Sequence, residues 1–127
     1  MKLRILENSV RLRLTQSEVQ ALGEHGHVEA RIRFRPGEYL VYKLEASSGV
    51  DHLAVRYGGD HLTVLVPAAQ VAPWVETDQV SLEGTQRVDA NEVLSILVEK
   101  DFQCLHGPAH RRDDDAFPHP EAAEGEA

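Results

Sequence analysis

The chain has one cysteine, Cys104, in 127 residues. A lone thiol excludes an internal disulfide and suits a reducing compartment. No apolar run approaches the roughly 18 residues that a membrane helix needs. The N-terminal MKLRILENS alternates apolar with charged residues and holds no cleavable hydrophobic core, so it does not read as a signal peptide. These absences predict a soluble cytoplasmic protein with no membrane partner. Also missing are a glycine-rich loop placed after a strand to cradle phosphate, and a Ser or Cys with a His and a carboxylate arranged beside it. The expectation is a protein without a cofactor, and non-catalytic rather than an enzyme.

What is present is an ordinary globular core composition, with 42% hydrophobic residues. A chain of this length is one domain, or two halves around one core. The formal charge is −8, unevenly spread. Residues 1–43 carry eight Lys and Arg against five Glu, so the front is about +3 and the remainder about −11. Composition changes again near the end. Residues 104–127 are rich in Gly, Pro, Ala, His and acidic side chains, with Phe117 almost alone as an apolar anchor. The expected division is a β-rich domain over 1–103, in halves 1–50 and 51–103, followed by an acidic tail over 104–127.

The front half reads as strand, strand, helix, strand, strand. Lys2 to Leu6 alternates, Glu7-Asn8-Ser9 turns, and Val10, Leu12 and Leu14 share a face opposite Arg11 and Arg13. Thr15-Gln-Ser-Glu18 has the form of a capping box, and Val19 and Leu22 are the helical residues to bury. Gly23 and Gly26 are placed to end that helix. Val28, Ala30, Ile32 and Phe34 then alternate inward against Glu29, Arg31, Arg33 and Arg35, and a strand over 38–46 follows Pro36-Gly37.

The same order returns 52 residues later. Leu12 to Thr15 lies over Val64 to Pro67, Val19 over Val71, Leu22 over Trp74, Glu24 over Glu76 and Val28 over Val80. Leu40–Leu44 lies approximately over Glu92–Ile96. Pro73 limits the second helix to a turn or two. A unit of about fifty residues that buries one face is marginal alone, so the two should pack together. The expected fold is α+β and β-rich: about eight strands and two short helices, as pseudo-two-fold duplicated hairpin–helix–strand–strand units in one barrel-like domain. Predicted core positions are Leu12, Leu14, Val19, Leu22, Val28, Ile32, Phe34, Val64, Val66, Trp74, Val80, Leu82, Leu94, Ile96 and Val98.

Asn8-Ser9-x-x-Leu12-Arg13-Leu14, a helix ending near Ala21-Leu22-Gly23, and the turn before Val28-Glu29 resemble the AbrB/MazE swapped-hairpin family. Pro67 and Thr77-Asp78-Gln79-Val80 resemble the same pattern in the second half. That resemblance implies two interlocked halves in one barrel, with Arg4, Arg11 and Arg13 at positions where the family's DNA-binding regulators and antitoxins carry basic residues. The second half has Asp60, His61 and Thr63 in place of Asn8, Ser9 and Arg11. As a whole the chain also resembles a small bacterial family with no assigned function.

Two sets of side chains are candidates for chemistry. Arg4, Arg11 and Arg13, with Arg31 and Arg33, form one basic face for an anion or nucleic acid if their strands are neighbours. The other readings of those arginines are a solvated face paired with glutamates, or a docking place for Asp113-Asp114-Asp115. Cys104, His106 and His110 are metal-ligand residue types, but their spacing matches no strong zinc pattern. The leading expectation is a non-catalytic binding or adaptor protein that engages a protein partner. Second comes a diverged AbrB/MazE-like regulator or antitoxin that binds nucleic acid, and third a small enzyme or metal protein using Cys104 and the tail histidines.

Overall fold

Ten elements follow one another in two matching runs, and the computed structural model describes residues 1–102 and Phe117. The first run is β1 (Lys2–Leu6), β2 (Ser9–Leu14), α1 (Gln16–His25), β3 (His27–Arg35) and β4 (Glu38–Ser47). The second is β5 (Ala54–Gly58), β6 (His61–Pro67), α2 (Ala68–Glu76), β7 (Ser81–Asp89) and β8 (Glu92–Lys100). The fold is β-rich α+β, as expected. Its eight strands form two four-stranded sheets and not a closed barrel, in the orders β1-β2-β8-β7 and β3-β4-β6-β5. No described helix is long and apolar enough to cross a membrane.

Each sheet takes one hairpin from each half. β2 runs parallel to β8, and β4 runs parallel to β6. Because these parallel ladders join strands from opposite halves, neither half completes a sheet by itself. The duplication is also visible in an irregularity: the register shift at Arg33/Arg35 recurs fifty-four residues on, at Arg87/Asp89.

Local chemistry sets the helices. Thr15 accepts from the Glu18 backbone N–H while Glu18 accepts from the Thr15 N–H, so the capping box is complete. The N-terminal ammonium of Met1 also pairs with Glu18. Gly26 ends α1 at φ 82, where a side chain would be strained. Gly23 does not end the helix. It lies inside α1, and a Cβ there would stand 3.2 Å from Val75 Cγ1 on α2. Gly23 and Val75 occupy equivalent positions in the two halves, so the pseudo-two-fold axis passes between the helices near this contact. α2 is longer than its proline suggested, because it runs through Pro73 to Glu76.

The core holds Val10, Leu12, Leu14, Val19, Leu22, Leu44, Leu53, Val64, Val66, Val71, Trp74, Leu82, Ile96 and Val98. Trp74 is fully enclosed, and its indole N–H donates to the Val80 carbonyl at 3.1 Å. Val28 and Leu94 pack against this cluster from a half-buried position. Three expected core residues lie outside it: Ile32 is 49% exposed, Phe34 61% and Val80 40%. Ile32 and Phe34 sit toward the end of β3, beyond the residues that pack on the core. Val80 was aligned with Val28, yet the ladders Val28↔Leu44 and Leu82↔Val98 make Leu82 the true equivalent. Two extra residues between α2 and β7 move the repeat from 52 to 54 there.

Of the segment expected as a tail, only Phe117 is described. Its N–H donates to the Asp101 carbonyl at 2.6 Å, and its ring lies 5.9 Å from that of Phe102.

Among the described glycines Gly84 leaves the least room for a side chain, since a Cβ there would lie 2.9 Å from Leu53 Cβ. Gly84→Ala should cost about 1–3 kcal/mol by overpacking. Gly58→Ala, in open space at an ordinary φ, should change stability by about 0.5 kcal/mol or less. Thermal melts of the two variants check this, with a clear fall in Tm expected for the first alone.

Candidate functional site

Alternation along the β1–β2 hairpin sends Val10, Leu12 and Leu14 into the core and their neighbours to the opposite face. Register then places Lys2 opposite Arg13 and Arg4 opposite Arg11. The four side chains line one hollow of about 140 Å³. Like charges directly opposite each other on a sheet are destabilising, so two adjacent pairs of this kind need counter-charge. Two carboxylates supply part of it. Glu99, the β8 register partner of Arg13, takes Arg13 Nε at 2.6 Å and Arg11 Nε at 3.7 Å on the same oxygen. Asp101 Oδ2 is buried and lies 2.8 Å from Lys2 Nζ, close enough for an ion pair though not aligned as a hydrogen bond. Arg4 has no ion pair among the described residues.

Next to this cluster the outer face of the same sheet is concave. Ser9, Ser95 and Thr85 are consecutive register partners across β2, β8 and β7, and with Arg11 and Glu83 they border a hollow of about 320 Å³. The surface therefore joins the positive cluster to hydroxyl groups that donate and accept, with the Glu83 carboxylate in the hollow's lining.

Arg31 and Arg33 are not on this face. They belong to β3 in the other sheet, so the five arginines do not form one patch. The Arg31 guanidinium stands 5.4 Å from the centre of the Tyr39 ring, and Arg33 is the register partner of Tyr39. Neither arginine pairs with a carboxylate among the described residues. Elsewhere on that sheet charge is matched: Lys43 lies 2.9 Å and Arg56 3.9 Å from Glu45, whose carboxyl is held below its ordinary pKa by the Lys43 hydrogen bond. Lys2 was not singled out from the sequence, although its alternation with Arg4 carried the signal. Cys104, His106, His110 and Asp113–Asp115 lie outside the described residues.

Lys100 is a second residue missed. It continues the inward series Leu94, Ile96, Val98 on β8, and it is 6% exposed. Its ammonium donates to the Thr77 carbonyl at 2.8 Å and lies 5.6 Å from the Trp74 ring and 5.5 Å from that of Phe117. Burial lowers its pKa, with Asp78 opposing that shift. The contacts describe a clasp: one cation held between two aromatic rings and a carbonyl. They do not make an open site.

A lysine whose folded pKa lies below its unfolded one binds fewer protons when folded, so its burial costs stability while it is charged. That cost is relieved as pH rises through the lowered pKa toward the ordinary value of 10.5. Denaturant melts at pH 7 and pH 10 should show the natural protein gaining stability relative to Lys100→Met as pH rises. An unchanged difference would mean that Lys100 is not desolvated.

No curated protein and no solved structure matches the chain. A family model does, over residues 1–121, and it spans both sheets, both helices and Phe117. That match does not carry the local AbrB/MazE resemblance of Asn8–Leu14. The chain belongs to DUF7009, a family of unknown function.

Proposed function

We propose that this is a non-catalytic binding protein whose first sheet docks an acidic segment of a protein partner on the Lys2, Arg4, Arg11 and Arg13 face. The observation that carries this reading is the pair of facing cation pairs, Lys2↔Arg13 and Arg4↔Arg11. Only two carboxylates answer four cations, and Arg4 is left without one among the described residues. An incoming carboxylate relieves repulsion that the folded chain otherwise carries.

The total charge favours a short acidic segment over a nucleic acid. Residues 1–102 hold eleven Lys and Arg against fifteen Asp and Glu, so a duplex meets a net repulsive body beyond the local cluster. A protein segment of a few residues meets the cluster alone. Among the described residues the cations also divide between two sheets, so Arg31 and Arg33 do not extend the Lys2, Arg4, Arg11 and Arg13 cluster into one basic track for a phosphate backbone.

The test is fluorescence anisotropy with a labelled peptide of alternating Glu and Ser, its Gln–Ser counterpart, and a random duplex DNA. The acidic peptide should bind at low salt and weaken near physiological salt. Arg4→Gln/Arg11→Gln should weaken it by about tenfold, or about 1.4 kcal/mol. Equal binding of the two peptides overturns the proposal. So does duplex binding that is tighter than peptide binding and lost in the same variant, which would instead support a nucleic-acid-binding regulator.

A further inference from the structure

We infer that the acidic segment adds to the first sheet as a fifth strand along the free edge of β1; this rests on the docking reading of the same face. β1 ends the sheet, and no described strand pairs with its far side. An edge strand presents a row of unpaired N–H and C=O groups, which an extended peptide can satisfy.

Of the other three edges, one is obstructed and two lie away from the cationic cluster. On β5, Val55 is already engaged on both backbone groups: its N–H donates to Gln86 Oε1 at 2.7 Å and its carbonyl accepts from Gln86 Nε2 at 3.1 Å. β3 and β7 are regular over seven consecutive residues each, up to the register shifts at Arg33/Arg35 and Arg87/Asp89 beside their hairpin turns, but neither carries a member of the Lys2, Arg4, Arg11 and Arg13 cluster. β1 pairs with β2 through five consecutive residues without interruption. Of the four edge strands it is the one that itself carries two of the clustered cations, Lys2 and Arg4.

Alternation on β1 specifies what that strand should look like. Lys2 and Arg4 point to the outer face, and Leu3 and Ile5 to the other. Leu3 packs on the core, whereas Ile5 remains 61% exposed. Neighbouring strands lie about 4.8 Å apart, so side chains of an added strand stand directly beside those of β1. Carboxylates at alternate positions then meet Lys2 and Arg4, and apolar residues between them cover Ile5. The ligand is therefore an extended segment in which acidic and apolar residues alternate. A second copy of this chain does not fit the same edge, because Lys2 and Arg4 would face their own charges.

Four labelled nine-residue peptides test this on the whole 127-residue chain. One alternates Glu and Val, one has the same composition with the Glu residues in a block, and two are the alternating peptide N-methylated at odd or at even positions. The alternating peptide should bind about tenfold tighter than the block peptide. One N-methylated phase should lose binding while the other keeps it, since only one set of amides faces β1. Ile5→Ser should weaken the alternating peptide and leave the block peptide unchanged. If both N-methylated peptides bind like the parent, strand addition is wrong while docking on the cationic face stands. If no acidic peptide binds at low salt, both readings fall.

Discussion

The parallel seams between β2 and β8 and between β4 and β6 are the constraint on which the rest of the molecule depends. Each half contributes two antiparallel hairpins, yet those hairpins end up in different sheets. A half on its own leaves the inner strand of each hairpin with one unsatisfied edge and with a core face that has no cover. The two seams satisfy those edges at once, and the helices close the axis where Gly23 meets Val75. Folding of one half is therefore tied to the other through long-range hydrogen bonding, as well as through apolar burial.

The frame is two-fold, but the chemistry is not. Arg11 and Arg13 correspond to Thr63 and Leu65, and Lys2 corresponds to Ala54, so only Arg4 keeps a basic counterpart, in Arg56. The inner positions diverge as well. Leu22 in the first half answers to Trp74 in the second, and Ala46 answers to Lys100. That exchange creates the aromatic clasp that holds Phe117 against the end of the first sheet. The repeated frame thus carries its clustered positive charge on one sheet only.

Much of the architecture is legible in the residues. The Thr15–Glu18 capping box, the inward alternation of Val10, Leu12 and Leu14, and the return of the same pattern after Gly49 all describe local conformation, and local conformation is what periodicity reports. Depth is less visible. Ile32 and Phe34 alternate in step with buried residues and still lie exposed, because period two reports the face of a strand and not how far along it the core extends. Val80 was misplaced for a related reason: the register of the repeat changes in a loop, where no periodicity exists to signal it.

The amino-acid sequence by itself determined the order of elements, the helix starts, the side of each strand that is apolar, and the presence of arginines opposite that side. Tertiary structure alone decided which strands became neighbours. It separated Arg31 and Arg33 from Arg11 and Arg13, and it brought Glu99 to Arg13 across 86 residues of chain. The physical reason is that strand pairing is a contest among distant edges with similar hydrogen-bonding capacity. Only burial of the whole core selects the winner.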